Sequence, residues 1–422
     1  MKRKSALFLV ITSLILSILA CTPPWQMATP SPTPTETQPS EITDEPEQEV
    51  DTPTATQTQT EIPTETPTIT ETFTSTPPLS EFTNPIIRHF AMFTPLEGWA
   101  VTQDGDHLLR TMDGGDTWLD ATPPALSSPP SGYTTHGIHP FFLDAETAWF
   151  TPNSASGALL YHTQDGGITW VINTVPFDNA RYDFLDLNIG YASVSLGAGA
   201  GSHYMAIYRT LDGGSTWTEV FSHEPGEMKS LPESGTKSGL TFRGIDTGWI
   251  GGSIPMEDYL YLYYTGDGAQ TWTQELDITI PPGYEGGMFT VWQPVLTGGS
   301  TVYLPVRGQY PSNTFLLIYR SDDYGLTWTF QNSALDGSAV DFSSVDVGWM
   351  AAGLVLLTTA DGGLNWSFLG ANGIPSGEYY LDVDFVDDLN GWVLTTPDDY
   401  TWTPLNFYRT TDGGDTWVQL LP

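Results

Sequence analysis

Thr111-Met112-Asp113-Gly114-Gly115-Asp116-Thr117-Trp118 is one copy of an eight-residue pattern, Ser/Thr-x-Asp-x-Gly-x-Thr-Trp, whose recurrence decides the architecture of the chain. Further copies stand at residues 163–170, 210–217, 265–272, 321–328, 359–366 and 410–417. Two are imperfect, because Ala269 replaces the pattern glycine and Asn365 replaces the threonine. The aspartates are Asp113, Asp165, Asp212, Asp267, Asp323, Asp361 and Asp412. Their mean spacing of about 50 residues is that of a repeated supersecondary unit stacked around or along an axis.

The pattern, called the box below, suits a tight hairpin. Its aspartate can accept hydrogen bonds from N–H groups of its own turn, the glycine supplies positive φ, and the threonine hydroxyl adds a local bond. The tryptophan covers the hairpin as the outgoing strand begins. Upstream of each box lie a first strand, such as Ala339-Val340-Asp341-Phe342, and a second strand opened by Gly-Trp or a relative. The openers are Gly98-Trp99, Ala148-Trp149, Gly190-Tyr191, Gly248-Trp249, Val302-Tyr303, Gly348-Trp349 and Gly391-Trp392, one per box. A third strand enters the box and a fourth leaves it. Short strands, frequent turns and little helical periodicity make the class all-β. The expected fold is a seven-bladed β-propeller with four-stranded blades over residues 81–422, with no strand shared between the termini.

Residues 1–20 read as an export signal, in which Lys2, Arg3 and Lys4 precede an apolar run from Ala6 to Leu16. That run is short for a membrane span. Ile18-Leu19-Ala20-Cys21 resembles the bacterial lipobox, whose cysteine is lipidated and becomes the new N-terminus. Cys21 is the only cysteine, so no disulfide is available and packing must stabilise the folded part. After it, residues 21–80 are largely Thr, Pro, Ser, Glu and Gln. Such a stretch cannot offset its ordering entropy by apolar burial and is expected to be a disordered tether. The expected location is extracytoplasmic, with the N-terminal lipid in the cell membrane or at the cell surface.

Thirteen Lys and Arg against 50 Asp and Glu give a formal net charge of −37. That charge repels phosphate backbones, which argues against nucleic acid as a partner. A protein or a glycan is the expected partner, and the residues imply no cofactor and no metal. Acidic turns such as Asp104-Gly105-Asp106 and Asp322-Asp323 offer oxygen ligands but lack the spacing of an EF-hand loop, so they read as solvated turns.

In an antiparallel blade, the first-to-second and third-to-fourth turns share one edge. The remaining connections share the other, and here those vary greatly, at residues 196–203, 252–258, 307–313 and 397–405, with a long connector at 222–238. Loops carried on a rigid scaffold are where binding resides, so the face opposite the boxes is the expected site. Its candidates are Tyr400, Trp402, Tyr310 and Trp292 among aromatics, which suit a sugar ring or a protein hot spot. Arg110, Arg209, Arg320 and Arg409 precede boxes and read as structural, whereas Arg88, Arg181 and Arg307 are candidates for the binding face.

The box resembles the Asp-box, or BNR, motif of sialidase-type propellers, which implies a structural role for the seven aspartates, remote from any active site. The Phe/Tyr-Arg-Ile/Leu-Pro element that carries the first substrate-clamping arginine in sialidases is missing, and Pro85-Ile86-Ile87-Arg88 does not replace it. The xyloglucan-cleaving relatives place their carboxylates between two propellers, and this chain has repeats for one. Carboxylate pairs such as Asp183 with Asp186 and Asp382 with Asp384 are expected by chance in so acidic a chain, and no nucleophile triad or phosphate loop stands out. No catalytic residue is assigned. The lipobox, the single set of seven repeats, and the Arg-Thr-x-Asp-Gly-Gly-x-Thr-Trp boxes at 110–118, 209–217 and 409–417 are similar to the photosystem II assembly and stability factor family. That resemblance, over residues 85–422, implies a membrane-anchored assembly scaffold without catalysis. The alternative is a glycoside hydrolase or carbohydrate-binding protein of the sialidase or xyloglucanase type.

Overall fold

Each box closes on itself through the same four bonds. The first-position hydroxyl donates to the aspartate Oδ1 at 2.7–2.9 Å. It also accepts the N–H of the fifth residue at 2.7–3.0 Å. Oδ1 accepts the N–H of the seventh residue at 2.8–2.9 Å. Oδ2 takes that residue's side chain at 2.5–2.7 Å, and Asn365 fills the role with its Nδ2 at 2.6 Å. Ala269 keeps the left-handed conformation of the glycine it replaces, with φ of 72°, which costs an L-residue about 1 kcal/mol.

A computed structural model describes residues 78–126, 137–152, 158–199, 201–223, 229–275 and 277–421, all within the unit Phe73–Pro422. Cys21, the signal and nearly all of the tether lie outside the described residues. Strands pair antiparallel in seven four-stranded units, blades I to VII, and the fold is a β-propeller. The first, innermost strands are Ile87–Met92, Phe141–Phe142, Ala180–Phe184, Thr236–Phe242, the broken pair Met288–Val291 and Val295–Leu296, Gly337–Phe342 and Tyr379–Phe385. Blade I gains an outer strand not foreseen in the sequence, Ser80–Glu81, paired with Leu119–Asp120. Blades IV and V merge into one nine-stranded sheet, because the long second strand Gly248–Glu257 also pairs with Met288–Val291.

Three of the variable connections are ladder rather than loop. The 196–203 segment is mostly the paired ends of Gly190–Gly199 and Ser202–Thr210, with a bulge between Ser195 and Gly197. Gly248–Glu257 covers most of 252–258, and Val302–Gln309 with Thr314–Ser321 leaves only a short turn in 307–313. Continuing the hairpin at 196–203 and 307–313, and pairing with Met288–Val291 at 252–258, satisfies backbone groups that a projecting loop would leave to water. The 397–405 segment alone of the four is an irregular loop.

The opener aromatics lock each blade to the next. The Nε1 of Trp99 donates to Asp144 O at 2.9 Å, that of Trp149 to Gly213 O at 3.0 Å, and that of Trp349 to Gly413 O at 3.4 Å. The Tyr191 hydroxyl donates to Ile245 O, and the Tyr303 hydroxyl to Val345 O at 2.7 Å. Trp392 of blade VII closes the ring by donating to Gly114 O of blade I at 2.9 Å. Trp249 is the exception, with a buried Nε1 that has no partner. Five of these rings, those of Trp99, Trp149, Tyr191, Tyr303 and Trp349, stack on the first-strand phenylalanine of the following blade, with Trp349 on Phe385 at 3.6 Å and 1° between planes. The opener glycine is needed for close approach, since a Cβ on Gly190 would fall 2.4 Å from the Phe184 ring.

Candidate functional site

First-strand residues paired with an opener aromatic form one tier around the axis. Asp183 pairs with Tyr191, Asp341 with Trp349 and Asp384 with Trp392, while Ala91, Phe141, Thr241 and Val295 hold the other places. The three carboxylates make one repeated bond to the following blade. Asp183 accepts the Phe242 N–H at 2.5 Å, Asp341 the Phe385 N–H at 2.7 Å and Asp384 the Met92 N–H at 2.7 Å. Enclosure in the seam raises Asp183 to about 7 and Asp341 to about 6, each against the pull of its N–H donor. It lifts Asp384 well above the carboxylate range, with the Asp341 charge adding to the effect. Asp382, two residues before Asp384, is raised to about 7 by burial.

Two residues earlier in the chain stand His89, His139 and Arg181 on blades I to III, His139 just ahead of its strand. Three neighbouring places in a strongly acidic protein are thus cationic or able to become so. Enclosure lowers the pKa of His139, and the Arg88 and Arg181 charges lower it further. His89 is lowered by burial, then by Arg88 and His139. Arg88 Nη2 donates to Ile138 O at 3.2 Å. With His89, His139 and Pro140 it lines a cavity of about 270 Å³ between blades I and II.

A second cavity, of about 280 Å³, lies between blades III and IV. Arg181 borders it, exposed, with Nη1 donating to Ser238 O at 3.2 Å. Asn179, Ser193, Ser195, Thr236 and Gln293 supply hydroxyl and amide groups. His203 Nδ1 accepts the Lys237 N–H at 3.2 Å, so its proton sits on Nε2, 3.0 Å from Ser195 Oγ. Lys237 is buried, and its ammonium donates to the carbonyls of His203 and Glu233 at 3.0 Å and of Ser234 at 3.2 Å. Burial lowers it to about 8, which leaves it charged at neutral pH and committed to holding the 233–235 turn against blade III. A groove of about 480 Å³ adjoins this cavity through the shared Ser238 and Gln293, and Trp292 and Pro305 line it.

The sequence candidates therefore separate. Arg88, Arg181 and Trp292 line this inner rim, Trp292 at the break in the first strand of blade V. Tyr310 is spent on packing, its hydroxyl bonded to Tyr284 O and its ring edge-on to Phe289 and Phe315. Arg307 is exposed on the blade V hairpin. Tyr400 and Trp402, 92% and 59% exposed, project from the 397–405 loop, which Asp398 ties down by accepting the Tyr400 N–H at 2.9 Å. They line none of these cavities. His89, His139, His203 and Lys237 were not singled out in the sequence. The available signal was that Lys237, like Arg88 and Arg181, sits near the start of a first strand in a chain poor in cations.

The box arginines lie against the following blade, beside Gly166, Gly268, Gly362 and Gly114 for Arg110, Arg209, Arg320 and Arg409. One carboxylate oxygen in each acidic turn is engaged within the protein. Asp104 Oδ1 accepts from Thr102 Oγ1 at 2.6 Å, and Asp322 Oδ1 accepts from Arg320 Nε at 2.8 Å. Among the described residues no group of three or more His, Cys, Asp or Glu is arranged to hold a metal ion.

No family model matches the chain, and no curated protein does. Among solved structures it is similar to an oligogalacturonate lyase from Vibrio parahaemolyticus, at 9% identity and a TM-score of 0.52 over 79% of this chain and 91% of that one. It is also similar to an ulvan lyase of polysaccharide lyase family PL25, at 11% identity and 0.50 over 81% and 96%. YCF48 from Cyanidioschyzon merolae aligns at 16% identity and 0.48 over 78% and 96%. At these identities the likeness is one of fold alone, and it is the propeller that the chain shares with them.

Proposed function

We propose that this protein is a lipid-anchored binding module, held outside the cytoplasm by Cys21 and the 21–80 tether, which gathers its partner on the rim opposite the boxes without chemistry of its own. One observation carries the reading. Ten Lys and Arg follow residue 80. Four of them brace boxes and Arg243 lies over the Tyr324 ring at 4.2 Å, yet Arg88 and Arg181 stand with three histidines on one rim. Catalysis is disfavoured because Asp183, Asp341 and Asp384 make the same bond at the same repeat position. That is how ties between blades behave, whereas a catalytic centre is built once. The resemblance to photosystem II assembly factors supports a scaffold for a membrane complex. The hydroxyl and amide lining beside Arg181 favours a second reading, in which the partner is a glycan.

The test uses the full chain in its native membrane. Cys21→Ser is expected to move the protein to the soluble fraction. Arg88→Ala with Arg181→Ala is expected to weaken partner capture tenfold or more at unchanged melting temperature. Capture that ignores both arginines, or release of sugars from envelope polysaccharide by the purified protein, would overturn the proposal.

A further inference from the structure

We infer that the cavity between blades III and IV is a subsite for one uronic-acid residue of a polysaccharide, with Arg181 on its carboxylate and Trp292 under the neighbouring sugar. This deepens the binding-module reading and rests on it. The guanidinium has one bond, to Ser238 O, among those the described residues provide, so its remaining N–H groups are free to meet a planar carboxylate in a two-point contact. Around it stand Asn179, Ser193, Ser195, Thr236 and Gln293, groups that both donate and accept and so match the hydroxyls of a sugar ring. The volume of about 280 Å³ falls just below the roughly 300–1,000 Å³ of pockets for drug-sized ligands, and suits a single pyranose. The adjoining groove, which shares Ser238 and Gln293 with the cavity, is lined by the partly buried Trp292. An indole face is a stacking surface for the apolar side of such a ring.

Charge selects among anions. A body of net charge −37 repels densely charged polymers, so a polysulfate or nucleic acid gains little from one arginine. A uronate brings one singly charged carboxylate per sugar, less than a sugar that bears several sulfates. A peptide fits less well. The second strand of blade III beside the cavity is paired on both sides, Ser193 with Arg181 and with Ile207, and the only open edge there belongs to the five-residue first strand Ala180–Phe184. The cavity also lacks the deep aromatic pocket on which protein hot spots are built.

The experiment is titration calorimetry on the full-length protein in detergent. The probes are the single uronic acids and the tetrasaccharides of galacturonate, glucuronate and mannuronate, the same oligosaccharides reduced at the carboxyl, and a peptide with a free terminal carboxylate. At least one uronate should bind, and its carboxyl-reduced form should bind tenfold or more weakly. Arg181→Ala should abolish the difference, with Arg181→Lys intermediate. Trp292→Leu should weaken the tetrasaccharide while sparing the single uronic acid. Melting temperatures of the variants report whether the fold is kept, and Arg181→Lys serves if the alanine variant melts early. No binding of any uronate, equal binding after carboxyl reduction, or binding of the peptide alone would overturn the inference. If uronates fail while capture of a membrane complex still needs Arg88 and Arg181, the sugar assignment falls and the binding module stands. If neither needs them, both fall.

Discussion

Asp165 gathers three hydrogen bonds inside its own turn, from Thr163 Oγ1 and the Thr169 N–H at 2.9 Å and from Thr169 Oγ1 at 2.6 Å. Alanine there removes every acceptor at once and leaves the Thr169 N–H to water. Net hydrogen bonds contribute about 1 kcal/mol each, and more with a charged acceptor, so Asp165→Ala is expected to lower the unfolding free energy in urea by about 2 kcal/mol. Ligand affinity should not change, because the box sits on the opposite face. A loss of affinity without loss of stability would assign the box to the binding surface. The box was legible in the sequence because all its partners lie within eight residues. The binding residues were less so. Tyr310 in a connection and Trp292 on a first strand are alike as candidate aromatics, and only the fold reveals that Phe289 and Phe315 enclose one while the other borders a groove. Lys237 and the three histidines gain their meaning from neighbours in adjoining blades, which no local pattern announces.

On the first strands, alternation sends phenylalanines back towards the preceding blade and Asp183, Asp341 and Asp384 forward to the next. Their folded pKa values are raised, so their protonation favours the fold. The contribution is complete below about pH 4, the unfolded carboxylate value, and is lost as pH rises through the folded values of about 6 for Asp341 and about 7 for Asp183. An amide in place of Asp384 keeps an oxygen for the Met92 N–H and carries no charge. Asp384→Asn should therefore melt at or above the wild-type temperature at pH 8, with that advantage shrinking towards pH 4.5. Asp384→Ala should melt lower at both, since it strands a buried N–H at a cost of about 1–3 kcal/mol. A wild type that outlasts Asp384→Asn at pH 8 would mean the ionised carboxylate is stabilising. In the sequence Asp183 and Asp384 look like members of chance pairs and Asp341 like an ordinary strand residue, because the strand pattern locates a carboxylate on a face without saying which N–H lies across the seam. The hairpin ends were misjudged for a related reason. Residues 197–201 are rich in Gly and Ala and carry no strand signal of their own, yet the partner strand from Ser202 holds most of them in the ladder.

Across the propeller, seven openers and seven boxes made the blade count readable, since each is a local signal repeated with the period of the chain. How the ring closes was not readable, because it depends on Trp392 meeting Gly114 across 278 residues. Arg409 joins that seam, with Nη1 donating to Asp113 O at 2.9 Å and Nη2 to Asp116 at 3.1 Å, and so does Asp384 through the Met92 N–H. No covalent link is available there, so these bonds and the packing of the two blades must hold the ends together. Trp249 offers an internal control. It is as fully buried as Trp392 and packs on Gly325 of the next blade, but its Nε1 has no acceptor. Replacing either by phenylalanine removes similar apolar volume, and Trp392→Phe also removes the indole bond to the Gly114 carbonyl, which keeps Arg409 Nη1 at 3.2 Å. Trp392→Phe should thus cost about 1 kcal/mol more in urea than Trp249→Phe. It should also broaden the transition or lower its slope, if loosening the seam lets blades I and VII unfold ahead of the others. Should the two variants lose equal stability with equal slopes, packing alone holds the seams and the bond to Gly114 contributes nothing to closing the ring.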